Sequence, residues 1–427
     1  MRLLIKNGRV VDPSSGIDET LDILIDQGKI ADIKPKIGEA KGLRVIDVSR
    51  LVVAPGFIDM HAHLREPGQE YKEDIETASR AAAKGGFTSI CAMPNTSPVN
   101  DNRGVTEFII AEAEKRAAVN IFPIAAITTG LRGEELTDMA DLLDAGAVAF
   151  SDDGRCVQNN LVMRRALEYA NFLLTLIIDH CEDFNLSQDG LMHEGSHSYL
   201  LGLRGIPVSA EEIMIARDII LAEAARARIH IAHLSTRGGV RLVEEAKKRK
   251  VQVTAEVTPH HLVLSDEALA NYDTNLKVYP PLRSQKDVQA LLGAVKAGVV
   301  DVLATDHAPH TVEEKEVEFD RAPFGINGLE TAVSLLLDRL VNKNVIALSR
   351  FIEMISTNPA RILGLKDKGR LTVGADADLT ILNLHKETVI DVTTFASKSR
   401  NSPFHGWKLK GAPAMTIVAG KIVYPFS

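Results

Sequence analysis

GFIDMHAHLREPGQEYKEDIETASRAAAKGGFTSICAM, residues 56–93, holds one complete repeat of the architecture. An apolar run, GFIDMH (56–61), reads as a buried strand. IETASRAAAKGG (75–86) then places small and apolar residues at helical spacing and ends on two glycines, a helix stop. FTSICAM (87–93) is a second buried strand. Two apolar strands joined by a helix are a parallel β–α–β unit.

The same texture continues outward from this unit. Further strand candidates are NIFPIAA (120–126), AVAFSD (147–152), LLTLIID (173–179), RIHIAH (228–233), VQVTAEV (251–257) and VDVLATD (300–306), with helical stretches such as SAEEIMIARDIILAEAARAR (209–228) between them. Eight such units predict an α/β chain with a (β/α)8 TIM-like barrel over 55–365. An open doubly wound sheet is the alternative, but the Gly-rich dinucleotide loop expected after its first strand is absent. Residues 1–54 and 366–427 instead read as short Val/Ile/Leu strands with Gly, Asn and Asp turns. Neither end has a full core, so the two are expected to form one composite β domain.

Composition excludes several classes. With 45% hydrophobic and 25% charged residues the chain is neither disordered nor of low complexity. Lys plus Arg is 49 against 57 Asp plus Glu, a formal charge of −8 that argues against nucleic-acid binding. No apolar run approaches the ~20 residues needed to span a bilayer. No signal peptide is expected, and Cys91, Cys156 and Cys181 are scattered without a CxxC, which suits a cytoplasmic protein.

Chemistry in such barrels sits at the C-terminal strand ends. There the chain carries His61 and His63, Asp152 and Asp153, His180, His233 and Asp306. His61 and His63 are two apart on a strand and face the same way. Each histidine alone is more often structural, and an isolated HxH pair is weak; the conjunction points to metal. Six donors exceed one tetrahedral zinc and suit a binuclear site. In it, His61, His63 and Asp306 hold one ion, His180 and His233 the other, and Asp153 bridges them. Asp152, one residue away, would point to the opposite face.

The motifs HLREPG (63–68), MPNTSPVND (93–101), FSDDG (150–154), DHCED (179–183), HIAHLST (230–236), EVTPHHL (256–262), PPLR (280–283), ATDHAPH (304–310), APFGINGLET (322–331), TNPARILGL (357–365) and KSRNSPFHG (398–406) span nearly the whole chain in order. In them the sequence resembles the amidohydrolase superfamily and, more closely, the bacterial class I dihydroorotases. The superfamily alone leaves hydantoinase, dihydropyrimidinase and allantoinase open; HLREPG and the Asp of FSDDG favour dihydroorotase.

The resemblance implies reversible closure of carbamoyl-aspartate to dihydroorotate in pyrimidine synthesis. It implies two zinc ions bridged by Asp153 and hydroxide, with no carboxylated lysine, and Asp306 as acid/base. Substrate contacts would fall on His63, Arg65, Asn95, His310, Phe324 and Gly325. A homo-oligomer and a complex with aspartate transcarbamoylase, even as a non-catalytic homologue, also belong to the family's range. One position departs: the family's Asn before Pro-Pro-Leu-Arg is Tyr279 here, whose phenol lacks the amide's paired donor and acceptor. It is kept among the expected substrate contacts.

Other residues have plainer readings. Arg65 could hold a substrate carboxylate through two parallel bonds; on spacing alone it could equally pair with Glu66 or Glu73. His260 and His261 at the end of strand 7, His307, Lys84 and Cys181 read as structural. Loops 189–207 and 308–325 are natural lids that could order over substrate.

Overall fold

The computed structural model describes residues 2–39 and 41–425. Eight parallel strands follow one another in space as in sequence. They are β1 (Phe57–Ala62), β2 (Phe87–Ala92), β3 (Asn120–Ala125), β4 (Ala149–Phe150), β5 (Leu176–Asp179), β6 (Arg228–Ile231), β7 (Val253–Val257) and β8 (Val302–Leu303). A parallel bridge between Ala62 and His307, with His63 N–H donating to the His307 carbonyl at 2.8 Å, joins the last turn of the barrel to the first.

Local chemistry explains the repeat. Helix Ile75–Gly85 starts at Asp74, whose side chain accepts from Thr77 N–H while Thr77 reaches back to the Asp74 N–H. It stops at Gly86, whose φ of 92° would strain any side chain. Its inner face is small, with Ala78, Ala81, Ala82 and Ala83 all buried, which lets the helix lie close against the strands. Phe57 packs edge-on against Phe87 and Phe351 beneath.

Both chain ends build one sheet. Its order is Lys421–Tyr424, Lys408–Val418, Leu379–Val389, Val52–Pro55, Leu3–Asp12, Ile17–Asp26 and Lys29–Lys34, with Arg44–Asp47 beside Leu3–Asp12. Val52–Pro55 pairs with an N-terminal strand on one edge and with Leu379–Val389 on the other. Its core draws on both ends too: Ile5, Val10, Ile23 and Val53 pack with Leu379, Ile381 and Ile417, all buried. Burying each such side chain contributes on the order of 1.5–3 kcal/mol.

The two expected lids differ from mobile loops. Residues 189–207 contain a short parallel ladder, Met192–His193 with Gly205–Ile206, and helix Ser196–Leu201. Loop 308–325 is tied down by its own Lys315 and by two distant side chains, Lys277 and Asn401. Lys315 donates to the carbonyls of Thr274 (3.0 Å) and Pro323 (2.7 Å), and Lys277 to those of Phe319 (2.7 Å) and Asp320 (3.1 Å). Asn401, on the C-terminal segment, donates to Ala308 and Gly325 and accepts from His310 N–H. Among the described residues, no helix is long and apolar enough to cross a membrane.

Burial holds the Lys315 ammonium down to about 7, with the Lys277 charge adding to the effect. The unfolded chain therefore binds more protons than the folded one between about pH 7 and 10, so stability rises with pH across that window. Lys315→Met removes this term. The stability difference between wild type and Lys315→Met, from urea unfolding, is expected to shift in favour of wild type by about 1–2 kcal/mol from pH 7 to 9. A difference that stays constant contradicts the assignment.

Candidate active site

Asp153 lies at the centre of the barrel mouth. Its carboxylate is 3.3 Å from His61 Nε2, 3.5 Å from His63 Nε2, 3.8 Å from His180 Nδ1 and 3.7 Å from His233 Nε2. Asp306 Oδ1 is 3.2 Å from His63 Nε2 and 3.6 Å from His61 Nε2. All six side chains are buried. The sets His61–His63–Asp306 and His61–Asp153–His233 each bring their donor atoms within 4.8 Å of one another. Asp152 turns away: it accepts from the Ile127 and Thr128 backbone and from the Thr128 hydroxyl.

Five of the six donors lie just past the strands, and His61 lies within β1. The backbone at Arg65, His233 and Asp306 is left-handed, with φ of 62°, 32° and 46°. That conformation is costly for non-glycine residues and persists where surroundings impose it. At Asp306 the imposing groups are visible: Asp59 accepts from Thr305 N–H (2.9 Å) and Thr305 Oγ1 (2.6 Å).

The residues fit a cation. His61 Nδ1 is 2.7 Å from the buried carboxylate of Glu256, which fixes that nitrogen as the donor and leaves Nε2 as a lone pair. His61 Nε2 and Asp153 Oδ1 then face each other, both buried and neither hydrogen-bonded. Each such unpaired group costs about 1–3 kcal/mol. A divalent ion between them removes that cost.

Glu256 escapes the expected list, although VTAEV alternates in a way that turns Thr254 and Glu256 to one face. Burial opposes its charge, but His61 and His230 hold it well below the usual carboxylate range. Glu256→Gln is expected to weaken metal binding about 10–100-fold, read by competition with a chromogenic chelator. Unchanged affinity contradicts a role in orienting His61.

Above the donors opens a cleft of about 590 Å³, lined by His63, Arg65, Asn95, His180, Tyr279 and Asp306, and also by His310, Phe324 and Gly325. His63 Nδ1 is 2.9 Å from Asn95 Oδ1. Arg65 is 9% exposed, and its partners are the Pro309 carbonyl at 3.2 Å and His310 Nε2 at 3.4 Å. Neither carboxylate weighed from the spacing reaches it: Glu66 takes Arg116 and the Ile75 N–H, and Glu73 takes Ser397 and the Lys398 N–H. Burial lowers the pKa of Arg65, while its own charge and that of the lysines follow burial in pushing His310 down to about 2, so that imidazole is neutral. Gly325 is required where it stands: its φ is 143°, and a Cβ would lie 2.8 Å from Ala308. Arg155, exposed at the rim, also lines the cleft and was not among the expected residues.

His260 and His261 lie in the helix Pro259–Val263 after β7; His261 is tied to Thr258 and the Pro280 carbonyl. His307 faces Glu73 and the Gly328 N–H, away from the donors. Lys84 pairs with Glu330 at the end of its helix, and the Cys181 thiol packs 3.4 Å from Asp218.

A closed parallel barrel with four imidazoles and two carboxylates converging at its mouth defines a metal-dependent amidohydrolase. The Amidohydrolase family matches residues 221–424, and the Dihydro-orotase-like family matches residues 49–239. A dihydroorotase of Syntrophus aciditrophicus is 52% identical over 99% of this chain and 99% of its own length; one of Pelotomaculum thermopropionicum is 56% identical over 99% and 98%. The chain belongs to the dihydroorotase family. Among solved structures, an L-hydantoinase (dihydropyrimidinase) from Arthrobacter aurescens matches with a TM-score of 0.89 at 29% identity, over 98% of this chain and 95% of that one. A D-hydantoinase matches with a TM-score of 0.87 at 26% identity, over 99% and 95%.

Proposed function

We propose that this protein interconverts dihydroorotate and N-carbamoyl-aspartate with two zinc ions held by the six donors. One observation carries the choice of substrate: a buried guanidinium, Arg65, on the wall of the cleft, with no carboxylate of the protein within ion-pair distance among the described residues. Dihydroorotate supplies that carboxylate; dihydrouracil and unsubstituted hydantoin do not. Imidazole and carboxylate in this mixture suit zinc.

When bound, the cations activate water and polarise a ring amide carbonyl. The chain's own residues supply the rest. Arg65 holds the ring carboxylate, and Asn95 and the neutral His310 flank it. Asp306 takes the proton from the attacking water as its oxygen bonds to the amide carbon. It returns that proton to the ring nitrogen as the C–N bond breaks. In the reverse direction the carbamoyl nitrogen attacks the side-chain carboxyl carbon and water leaves.

The test is hydrolysis of dihydroorotate by zinc-loaded protein, with metal counted by mass spectrometry. Turnover abolished by a chelator, and about two zinc ions per chain, are expected. Turnover of hydantoin or dihydrouracil without dihydroorotate turnover overturns the reading in favour of a neutral-ring hydrolase.

A further inference from the structure

We infer that Tyr279 sets the size of ring substituent that the cleft admits, an inference that rests on the dihydroorotase reading above. The Tyr279 ring lies nearly parallel to the His180 imidazole, with centroids 5.5 Å apart and planes 21° apart. Its other neighbour is the Phe324 ring, at 4.7 Å. No hydrogen bond joins its hydroxyl to a described residue. The contacts that Tyr279 makes with the described residues are thus made by its ring.

The ring has a cavity on each side. Tyr279 lines the open cleft, where substrate must sit over the donor cluster. It also lines a second, much smaller cavity of about 10 Å³, walled by His180, Ile206, Ala210, Pro280 and the buried Arg283–Glu211 pair. The phenol and the His180 imidazole line both cavities and form the wall between them, and of the two only Tyr279 lies outside the donor cluster. It packs against both the Phe324 ring and the His180 imidazole, contacts that resist its swinging aside. Dihydroorotate is a compact six-membered ring carrying only a carboxylate, and it needs no space behind this wall. A cyclic diamide with a large apolar substituent needs that space. Shortening residue 279 joins the two cavities and offers the substituent the apolar faces of Ile206, Ala210 and Pro280.

The probe is 5-benzylhydantoin, tested as a competitive inhibitor of dihydroorotate hydrolysis by the zinc-loaded enzyme. The measured quantity is the inhibition constant of 5-benzylhydantoin divided by that of unsubstituted hydantoin, a ratio that neither a general loss of activity nor a change in the KM for dihydroorotate moves. Tyr279→Ala is expected to lower this ratio at least tenfold. Tyr279→Phe, which keeps the ring, is expected to hold it within threefold of wild type. Should Tyr279→Ala not fold, Tyr279→Leu serves in its place with an expected drop of at least threefold. A drop below threefold in the truncated variant, or an equal drop in Tyr279→Phe, overturns the inference while leaving the dihydroorotase reading intact. A zinc-loaded wild type that does not hydrolyse dihydroorotate overturns both.

Discussion

Asp306→Asn is expected to lower kcat for dihydroorotate by about 10²–10⁴-fold, the range that a lost acid/base group commands. Asp306 lines the cleft, and its carboxylate lies within 3.6 Å of two imidazoles of the donor cluster. The strained backbone at φ 46° aims it there, and the Thr305–Asp59 hydrogen bonds hold that geometry. Asparagine keeps the shape and one acceptor oxygen, so part of the metal binding survives; it cannot take up and return a proton. The measurement is kcat together with zinc content. A variant with zinc bound and kcat within fivefold of wild type contradicts the assignment of Asp306 as proton carrier.

Arg65→Met is expected to cut kcat/KM for dihydroorotate by about 10²–10³-fold, since two charge-assisted hydrogen bonds of about 1.5–3 kcal/mol each are lost. Methionine keeps the apolar stem, so the wall stays filled. The loss should be selective: whatever turnover the protein shows on dihydrouracil, which has no carboxylate, should change less than threefold. Steady-state kinetics on both rings separate the effects. Equal losses on both substrates would mean that Arg65 holds the cleft together through Pro309 and His310 instead of binding an anion.

Much of this arrangement was legible in the residue pattern, and what was not has physical reasons. The β–α alternation was visible because most barrel strands are buried on both faces and read as apolar runs. Strand ends were less visible. The runs read at 147–152 and 300–306 shrink to Ala149–Phe150 and Val302–Leu303, because the chain leaves the sheet to turn Asp153 and Asp306 inward. A left-handed φ at His233 or Asp306 has no signature in periodicity. The donors themselves stood out, since strand-end polar residues follow apolar runs. Glu256 shares a face with Thr254 in the alternation of β7, but a carboxylate that acts on His61 from another strand has no spacing signature.

The anchoring of loop 308–325 was not readable at all. Its place after β8, its acidic sequence and its Gly/Pro boundaries suggest a lid. What holds it are Lys277, Lys315 and Asn401, donating to backbone carbonyls. Such bonds join residues up to 93 positions apart, as between Asn401 and Ala308, and they need no complementary side chain that a pattern could reveal. Tyr279 was visible as a departure from the family pattern, but only the structure shows its ring between His180 and Phe324.

Under the proposed function, a buried, carboxylate-free Arg65 selects an anionic ring over a metal-ligand cluster. The most direct measurement is the ratio of kcat/KM for dihydroorotate to that for dihydrouracil, on the zinc-loaded wild-type protein. The two rings differ only in the carboxylate. A ratio of at least about 10², the worth of a bidentate charged contact, is the result predicted. A ratio near one, or one favouring dihydrouracil, would contradict it and leave a barrel that hydrolyses rings without reading their charge.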